Sequence, residues 1–387
     1  MQQRVLPVTI KAMLADVRRQ AAAGTQDRGE AEVRVPVTRY HDPAWLAAER
    51  ATLFSRLPLI VAHSSEIRPG EALANDASGV PILLVRDEQG TLRAFLNVCR
   101  HRGMRLLEPA ASAAAKKSLV CGYHGWTYQL DGRLRHRAWE DAFDPLPEEQ
   151  NALVPLPCEE RHGFVWVIPA RDAEIDIAEH LGVLDAELAW FGIDGMTVFR
   201  TVDTVYAANW KLIMDAFLEY YHIRILHRDT IQPFFANGVA GCLKAGPHIA
   251  AMVARKTALE EFADPLERDA LCKLVTPTYV LFPNTVLVNH PDYLSLITVF
   301  PTGPDSHRWV HRMLIPVAKA TPDWTPHWEK TFRLLEETVF EKEDVATAVA
   351  IQQGILCGAN THMTFGRVER NVGWFHDEVA RAVGRAG

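Results

Sequence analysis

"VCRHRGMRL" at residues 98–106 and "VCGYHGWTY" at 120–128 decide how this chain is read. Each places a cysteine shortly before a histidine: Cys99 with His101, and Cys121 with His124. Thiolate is a soft donor and imidazole a borderline one, so two of each suit zinc or a [2Fe–2S] centre. Zinc knuckles usually pair Cys with Cys and His with His. One Cys and one His per loop suits a cluster in which two thiolates hold one iron and two imidazoles the other. Buried thiols beside solvated histidines would be the ordinary reading of a single pair. Two pairs with glycine and aromatic neighbours in matching places argue against it.

The rest of the chain is consistent with a redox protein of ordinary composition. It has 387 residues, 48% hydrophobic and 23% charged, with a net charge of −7. Those values fit a soluble globular protein of two domains, or one domain with a large insertion, and the lack of basic runs argues against a nucleic-acid partner. The apolar runs are too short to span a bilayer, and the first twenty residues carry no secretory signal. Six scattered cysteines make no disulfide framework, so a reducing cytoplasm is the expected compartment.

Three segments are expected. Residues 1–45 hold an N-terminal helix, with Val8, Ile10, Met13, Leu14 and Val17 at helical spacing. Residues 46–168 carry short β-rich runs ("LPLIVAH", "VPILLVRD", "LRAFLNV", "GFVWVIP") punctuated by Gly and Pro, as in a small antiparallel β domain. An alanine-rich piece, "PAASAAAKK", separates the two Cys/His loops. Residues 169–387 mix strands such as "MTVFRTVDTVYA" and "YLSLITVFPTG" with a helix near 210–226 and a long one near 324–356. The fold class is therefore α+β, with helices covering an antiparallel sheet.

At this point the chain resembles a family. "NVCRHRG" and "CGYHGWTYQLDGRL" look like the cluster-binding loops of Rieske-type oxygenases, the α subunits of ring-hydroxylating oxygenases and their demethylating relatives. Gly122 stands where proline is common, and the spacer between His101 and Cys121 is slightly long; neither removes a ligand. The resemblance implies a [2Fe–2S] cluster on Cys99, His101, Cys121 and His124, and a helix-grip catalytic domain.

The second site lies in "NWKLIMDAFLEYYHIRILHRDT", residues 209–230. Asp215, Glu219 and His222 follow four- and three-residue steps, one face of a helix. His222 and His227 are five apart, about 140° out of register on an ideal helix, so they share a metal only if the helix is distorted or ends. Two histidines and one carboxylate with open positions is the ligand set of non-haem Fe(II) oxygenases. By resemblance His222 and His227 are iron ligands and Glu219 is the acid bridging the two metal centres, where Asp is commoner. The third ligand is sought in "VFEKEDVATAVAIQQGI", 339–355: Asp344 fits best by position, with Glu341 and Glu343 as rivals and a solvated acidic face as the ordinary reading. Asn209 sits near the iron in the family, and a helix cap is an equal reading of it.

The resemblance implies a terminal oxygenase component. Electrons come from NAD(P)H through a separate flavin- or ferredoxin-type reductase, since the chain carries no G-x-G-x-x-G motif of its own. They pass through the Rieske cluster to a mononuclear Fe(II) that activates O₂. Members assemble head to tail as homotrimers, alone or with a β subunit. The small-molecule substrate is expected to be aromatic, the commonest family case. The alternative is oxidative demethylation of N-methyl, quaternary ammonium or O-methyl compounds, for which Phe217, Tyr220, Tyr221, Phe234 and Phe235 offer cage faces. An electron-transfer Rieske protein is the non-enzyme rival, and His162, His290, His307, His311 and His362 read as isolated structural residues.

Overall fold

The computed structural model describes residues 5–108, 112–114, 118–144 and 147–385, so most of the alanine-rich piece lies outside the described residues. Contacts divide the chain into two compact units, Met1–Leu53 with Leu181–Gly387, and Phe54–His180. The divisions expected from sequence lie a little N-terminal of these.

The first unit is built on a seven-stranded antiparallel sheet. Its strands are β1 (Met196–Tyr206), β2 (Phe235–Ala245), β3 (His248–Arg255), β4 (Val275–Leu281), β5 (Thr285–Asn289), β6 (Leu294–Gly303) and β7 (Ser306–Pro316), in the order β1-β7-β6-β5-β4-β3-β2. Successive strands from β2 to β7 are neighbours, and only β1 joins across the connection that carries the second motif. β5 is buried at every position, and β6 over its first eight, because helices cover the sheet. The helices include α1 (Val8–Ala23), α2 (Pro43–Arg56), α3 (Trp210–Phe217), α4 (Thr325–Arg333), α5 (Ala346–Leu356) and α6 (Arg370–Ala382).

In α1 the buried residues are Ile10, Met13, Leu14, Val17 and Gln20; Val8, counted in the apolar stripe from sequence, is 81% exposed at the helix start. The helix lies so close on β2 that a β-carbon at Gly241 would come within 2.3 Å of the Met13 carbonyl oxygen. Glycine is therefore required there. α3 starts at Asn209, whose side-chain oxygen accepts from the Lys211 N–H at 3.0 Å. Its Lys211 is wholly buried, and the ammonium is held by Glu49 of α2 at 2.5 Å. The Trp210 indole donates to the other Glu49 oxygen at 2.9 Å. Removing either charge would strand the other in the core, at a cost of about 3–5 kcal/mol.

The helix expected to run from about 210 to 226 ends at Phe217. Glu219 accepts from the backbone N–H groups of Tyr221 and His222, so its carboxylate terminates the turn that continued winding would have built. Only a short 3₁₀ turn, His222–Arg224, follows. The long C-terminal helix is also not uniform. Between α4 and α5, Leu334–Val345 is wound as a π-helix, a rare wide winding frequent at functional sites.

The strands of the second unit are all antiparallel among the described residues: a five-stranded sheet and two three-stranded ones, with only short helical turns between them. The two Cys/His loops share one backbone design. Cys99 N–H donates to Met104 O at 2.8 Å and Gly103 N–H to Cys99 O at 3.0 Å; Cys121 N–H donates to Trp126 O at 2.8 Å and Gly125 N–H to Cys121 O at 3.0 Å. Gly103 and Gly125 close these turns at φ of 82° and 71°, which side chains rarely adopt. That is why glycine stands four residues after each cysteine although the histidines are offset.

Candidate functional site

In the second unit the loops bring the four expected residues together. The rings of His101 and His124 have centroids 4.6 Å apart. Cys99 and Cys121 are buried in one cluster with Leu119, Trp126 and Tyr128, and burial, followed by the neighbouring Cys121 thiol, keeps the Cys99 thiol's pKa above its ordinary value. His101 Nδ1 is a buried nitrogen without a hydrogen-bond partner, which is what a nitrogen reserved for a metal looks like in a chain without one. Trp126 stacks on His101, with centroids 5.0 Å apart and planes at 6°, and covers it from solvent. The donor set and its geometry fit a [2Fe–2S] cluster with two thiolates on one side and two imidazoles on the other.

Tyr128 was not singled out from sequence. Its hydroxyl accepts from Arg100 N–H at 2.9 Å and lies 3.3 Å from Cys99 Sγ, a distance at which it donates to the sulfur when Cys99 is a thiolate. Hydrogen bonds to ligating sulfur help set the potential of such clusters. Tyr128→Phe is expected to lower the cluster's reduction potential with iron content intact, as redox potentiometry would register. An unchanged potential would remove Tyr128 from the tuning of the site.

In the first unit, the end of α3 at Phe217 lets His222 and His227 face each other, with ring centroids 5.0 Å apart. Asp344 reaches them from the π-helix: its Oδ1 is 3.1 Å from His227 Nε2 and 3.7 Å from His222 Nε2. Among the described residues, these are the three donors whose atoms all lie within 4.8 Å of one another. Asp344 Oδ1 is buried and has no hydrogen-bond partner. Two Nε2 atoms and one orphaned carboxylate oxygen, aimed at one point, fit a divalent iron with open positions.

The outer nitrogens are also held. Glu219 accepts from His222 Nδ1, and Glu343 lies 2.7 Å from His227 Nδ1 and takes the Thr230 hydroxyl at 2.9 Å. Glu343, a rival of Asp344 on sequence, thus sits behind an imidazole, and Glu341 is exposed. Burial would lower the His222 and His227 pKa values, but the carboxylates outweigh it and raise both, Glu219 and Asp344 acting on His222, Asp344 and Glu343 on His227. A metal must displace those protons to bind. Asp215 points elsewhere: it accepts from the Tyr40 hydroxyl at 2.7 Å and is 2.9 Å from His376 Nε2. Asn209 is occupied as the α3 cap and donates to Pro304 O at 2.7 Å; it does not line the cavity described next.

A cavity of about 420 Å³ opens beside His222, His227 and Asp344. Of the expected aromatic faces, Phe217, Tyr220, Phe234 and Phe235 line it, whereas Tyr221 does not and is 63% exposed. Phe340 and Tyr293 add further faces. A smaller cavity of about 240 Å³ meets Glu219, His222 and Asp344 with Glu369.

Two family models match the chain: "Ring hydroxylating alpha subunit (catalytic domain)" over 193–385 and "Rieske [2Fe-2S] domain" over 58–147. The chain belongs to the Rieske non-haem iron oxygenases. The matched domains are the [2Fe–2S] domain and the catalytic domain of that family. The glycine betaine monooxygenase oxygenase subunit of Chromohalobacter salexigens is 34% identical over 241 residues, 62% of this chain and 53% of that protein. The carnitine monooxygenase oxygenase subunit of Escherichia coli K12 is 32% identical over 204 residues, 51% and 54% of the two chains. The matched region thus spans about half the length of these curated relatives. A solved quaternary ammonium Rieske monooxygenase, CntA, superposes with a TM-score of 0.75 at 22% identity over 98% of this chain and 99% of that one. Naphthalene 1,2-dioxygenase from Rhodococcus sp. gives 0.76 at 22% over 97% of each. Both show the Rieske-plus-catalytic fold. Among the described residues, no helix is long and apolar enough to cross a membrane.

Proposed function

We propose that this chain is the terminal oxygenase component of a Rieske monooxygenase acting on a quaternary ammonium compound. The observation that carries this is the aromatic cavity bordered by the His222–His227–Asp344 group. Aromatic faces stabilise a cation that carries no N–H to donate, and such a site is worth about 2 kcal/mol or more when desolvated. The two named curated relatives act, by their names, on glycine betaine and carnitine, which favours this reading over the aromatic substrate expected first.

The net reaction inserts one oxygen atom of O₂ into a C–H bond beside the quaternary nitrogen and reduces the other to water with two electrons and two protons. The hydroxylated carbon then loses its C–N bond, whose electron pair goes to nitrogen, giving a tertiary amine, an aldehyde and the proton of the new hydroxyl. When bound, the cluster supplies electrons singly and the mononuclear iron supplies the place where O₂ is reduced. Cys99, His101, Cys121 and His124 hold the cluster; His222, His227 and Asp344 hold the iron. Glu219 and Glu343 fix the orientation of the two imidazoles through their Nδ1 atoms. Phe217, Phe340 and their neighbours keep water from the substrate.

A separate flavin- or ferredoxin-type reductase would draw the electrons from NAD(P)H. A homotrimer, alone or with a β subunit, would let Glu219 bridge to a cluster histidine of the neighbouring chain. Six free cysteines suit a reducing cytoplasm.

The test is substrate-dependent oxygen uptake with a surrogate reductase, comparing trimethylammonium compounds with naphthalene and benzoate. Uptake with release of an aldehyde from the trimethylammonium compounds is expected. Uptake with the aromatic compounds alone would overturn the substrate class.

A further inference from the structure

The sheet side of the 420 Å³ cavity has polar groups that binding a cation leaves unused. Arg255, the last residue of β3, lines it and donates from Nη1 to Thr276 Oγ1 at 3.2 Å. Its guanidinium lies over Phe234 and Phe235, 5.8 and 5.5 Å from the ring centroids. No carboxylate of the described residues comes within 4.0 Å of it. Asp292, whose charge acts on Arg255, is already engaged by His327 Nε2 at 2.7 Å. Four of the five guanidinium N–H groups therefore have no protein partner assigned.

His290 stands in the same wall. The pairings Val253–Thr276 and Thr278–Val288 set β3, β4 and β5 side by side, and His290 directly follows β5. Its Nε2 is buried without a hydrogen-bond partner, and its ring stacks on Tyr293 with centroids 4.1 Å apart. Burial, then the charges of Arg255 and Arg268, push its pKa down to about 3, so the ring is neutral. It is free to donate one N–H or accept one.

A half-buried guanidinium on aromatic faces with no carboxylate in contact is costly unless a ligand provides one. Carboxylate is the group whose geometry matches the fork. A purely cationic ligand would meet repulsion from Arg255 and from Lys330 in the same lining, while the acids of the cavity, Glu219 and Asp344, stand with the histidines. We propose that Arg255, assisted by His290, is a carboxylate-binding subsite, so that the substrate is a zwitterion. Its carboxylate is held on the sheet wall and its methylated nitrogen is presented to the His222–His227–Asp344 group. This rests on reading the cavity as a quaternary ammonium site.

The experiment compares binding of trimethylammonio-carboxylates of graded chain length with that of the matching primary alcohols, by anaerobic titration calorimetry on the metal-replete enzyme. The wild type is expected to bind its best acid at least ~30-fold more tightly than the matching alcohol. In Arg255→Gln that ratio should fall to about one, while Arg255→Lys, which keeps the charge without the fork, should retain part of it. The cluster's visible spectrum checks that each variant is folded, and if Arg255→Gln is not, the wild-type ratio and Arg255→Lys decide. A wild type without preference for the acid, or an unchanged ratio in Arg255→Gln, overturns the subsite. Failure of both acids and alcohols to bind the wild type overturns the quaternary ammonium reading itself, and the subsite with it.

Discussion

Asp344→Ala is expected to lose the mononuclear iron, keep a reducible cluster, and fall at least ~10³-fold in turnover. The expectation comes from one atom. Asp344 Oδ1 is buried, lacks a hydrogen-bond partner, and stands near the Nε2 atoms of both His222 and His227. Alanine there leaves two imidazoles, too few to hold a divalent ion against buffer. Glu343 provides the contrast, because it touches His227 from behind at Nδ1. Glu343→Gln should weaken iron binding only about 10- to 100-fold. Iron analysis and turnover on the two variants side by side measure the difference. Full iron and activity in Asp344→Ala would move the third ligand to Glu343 or Glu341.

Glu219→Gln separates iron binding from communication between the centres. The carboxylate accepts from His222 Nδ1 and from two backbone N–H groups, and it also faces the smaller cavity. Glutamine preserves the size and some hydrogen bonding but removes the charge that orients the ring. The variant should load both metals, and its pre-reduced cluster should be reoxidised about 100-fold more slowly with substrate and O₂ present, as stopped-flow absorbance would record. A wild-type reoxidation rate would show that Glu219 is not the bridge. Asp215 is a poor substitute, since Tyr40 and His376 already engage its two oxygens.

Much of the site was legible because metal ligation constrains sequence tightly. Cys99-x-His101 and Cys121-x-x-His124 mark the proposed cluster donors in the sequence itself, and the geometry adds the matched turns closed by Gly103 and Gly125. His222 and His227 were harder, because their five-residue spacing contradicts a regular helix. The contradiction was the signal: α3 ends at Phe217, and Glu219 caps the break. The π-helix around Asp344 has no comparable mark in the sequence, so its neighbours Glu341 and Glu343 stayed open until their directions were seen.

β2 was missed as a strand because "FANGVAGCLKA" has two glycines and no alternation; one of them, Gly241, is demanded by the approach of α1, a tertiary cause invisible to local pattern. β3 is buried at six of its eight positions and shows no polar face to read. Arg255 went unnoticed as a cavity residue for the same reason: its neighbours lie on adjoining strands, not nearby in the chain.

The central claim is that one chain carries both a cluster and a separate iron. Quantifying iron and acid-labile sulfide in the purified protein tests it most directly. About three iron atoms and two sulfides per chain are expected, one [2Fe–2S] cluster plus one mononuclear iron. Two iron atoms with two sulfides in protein that still turns over would contradict the mononuclear site, and zinc without sulfide would contradict both.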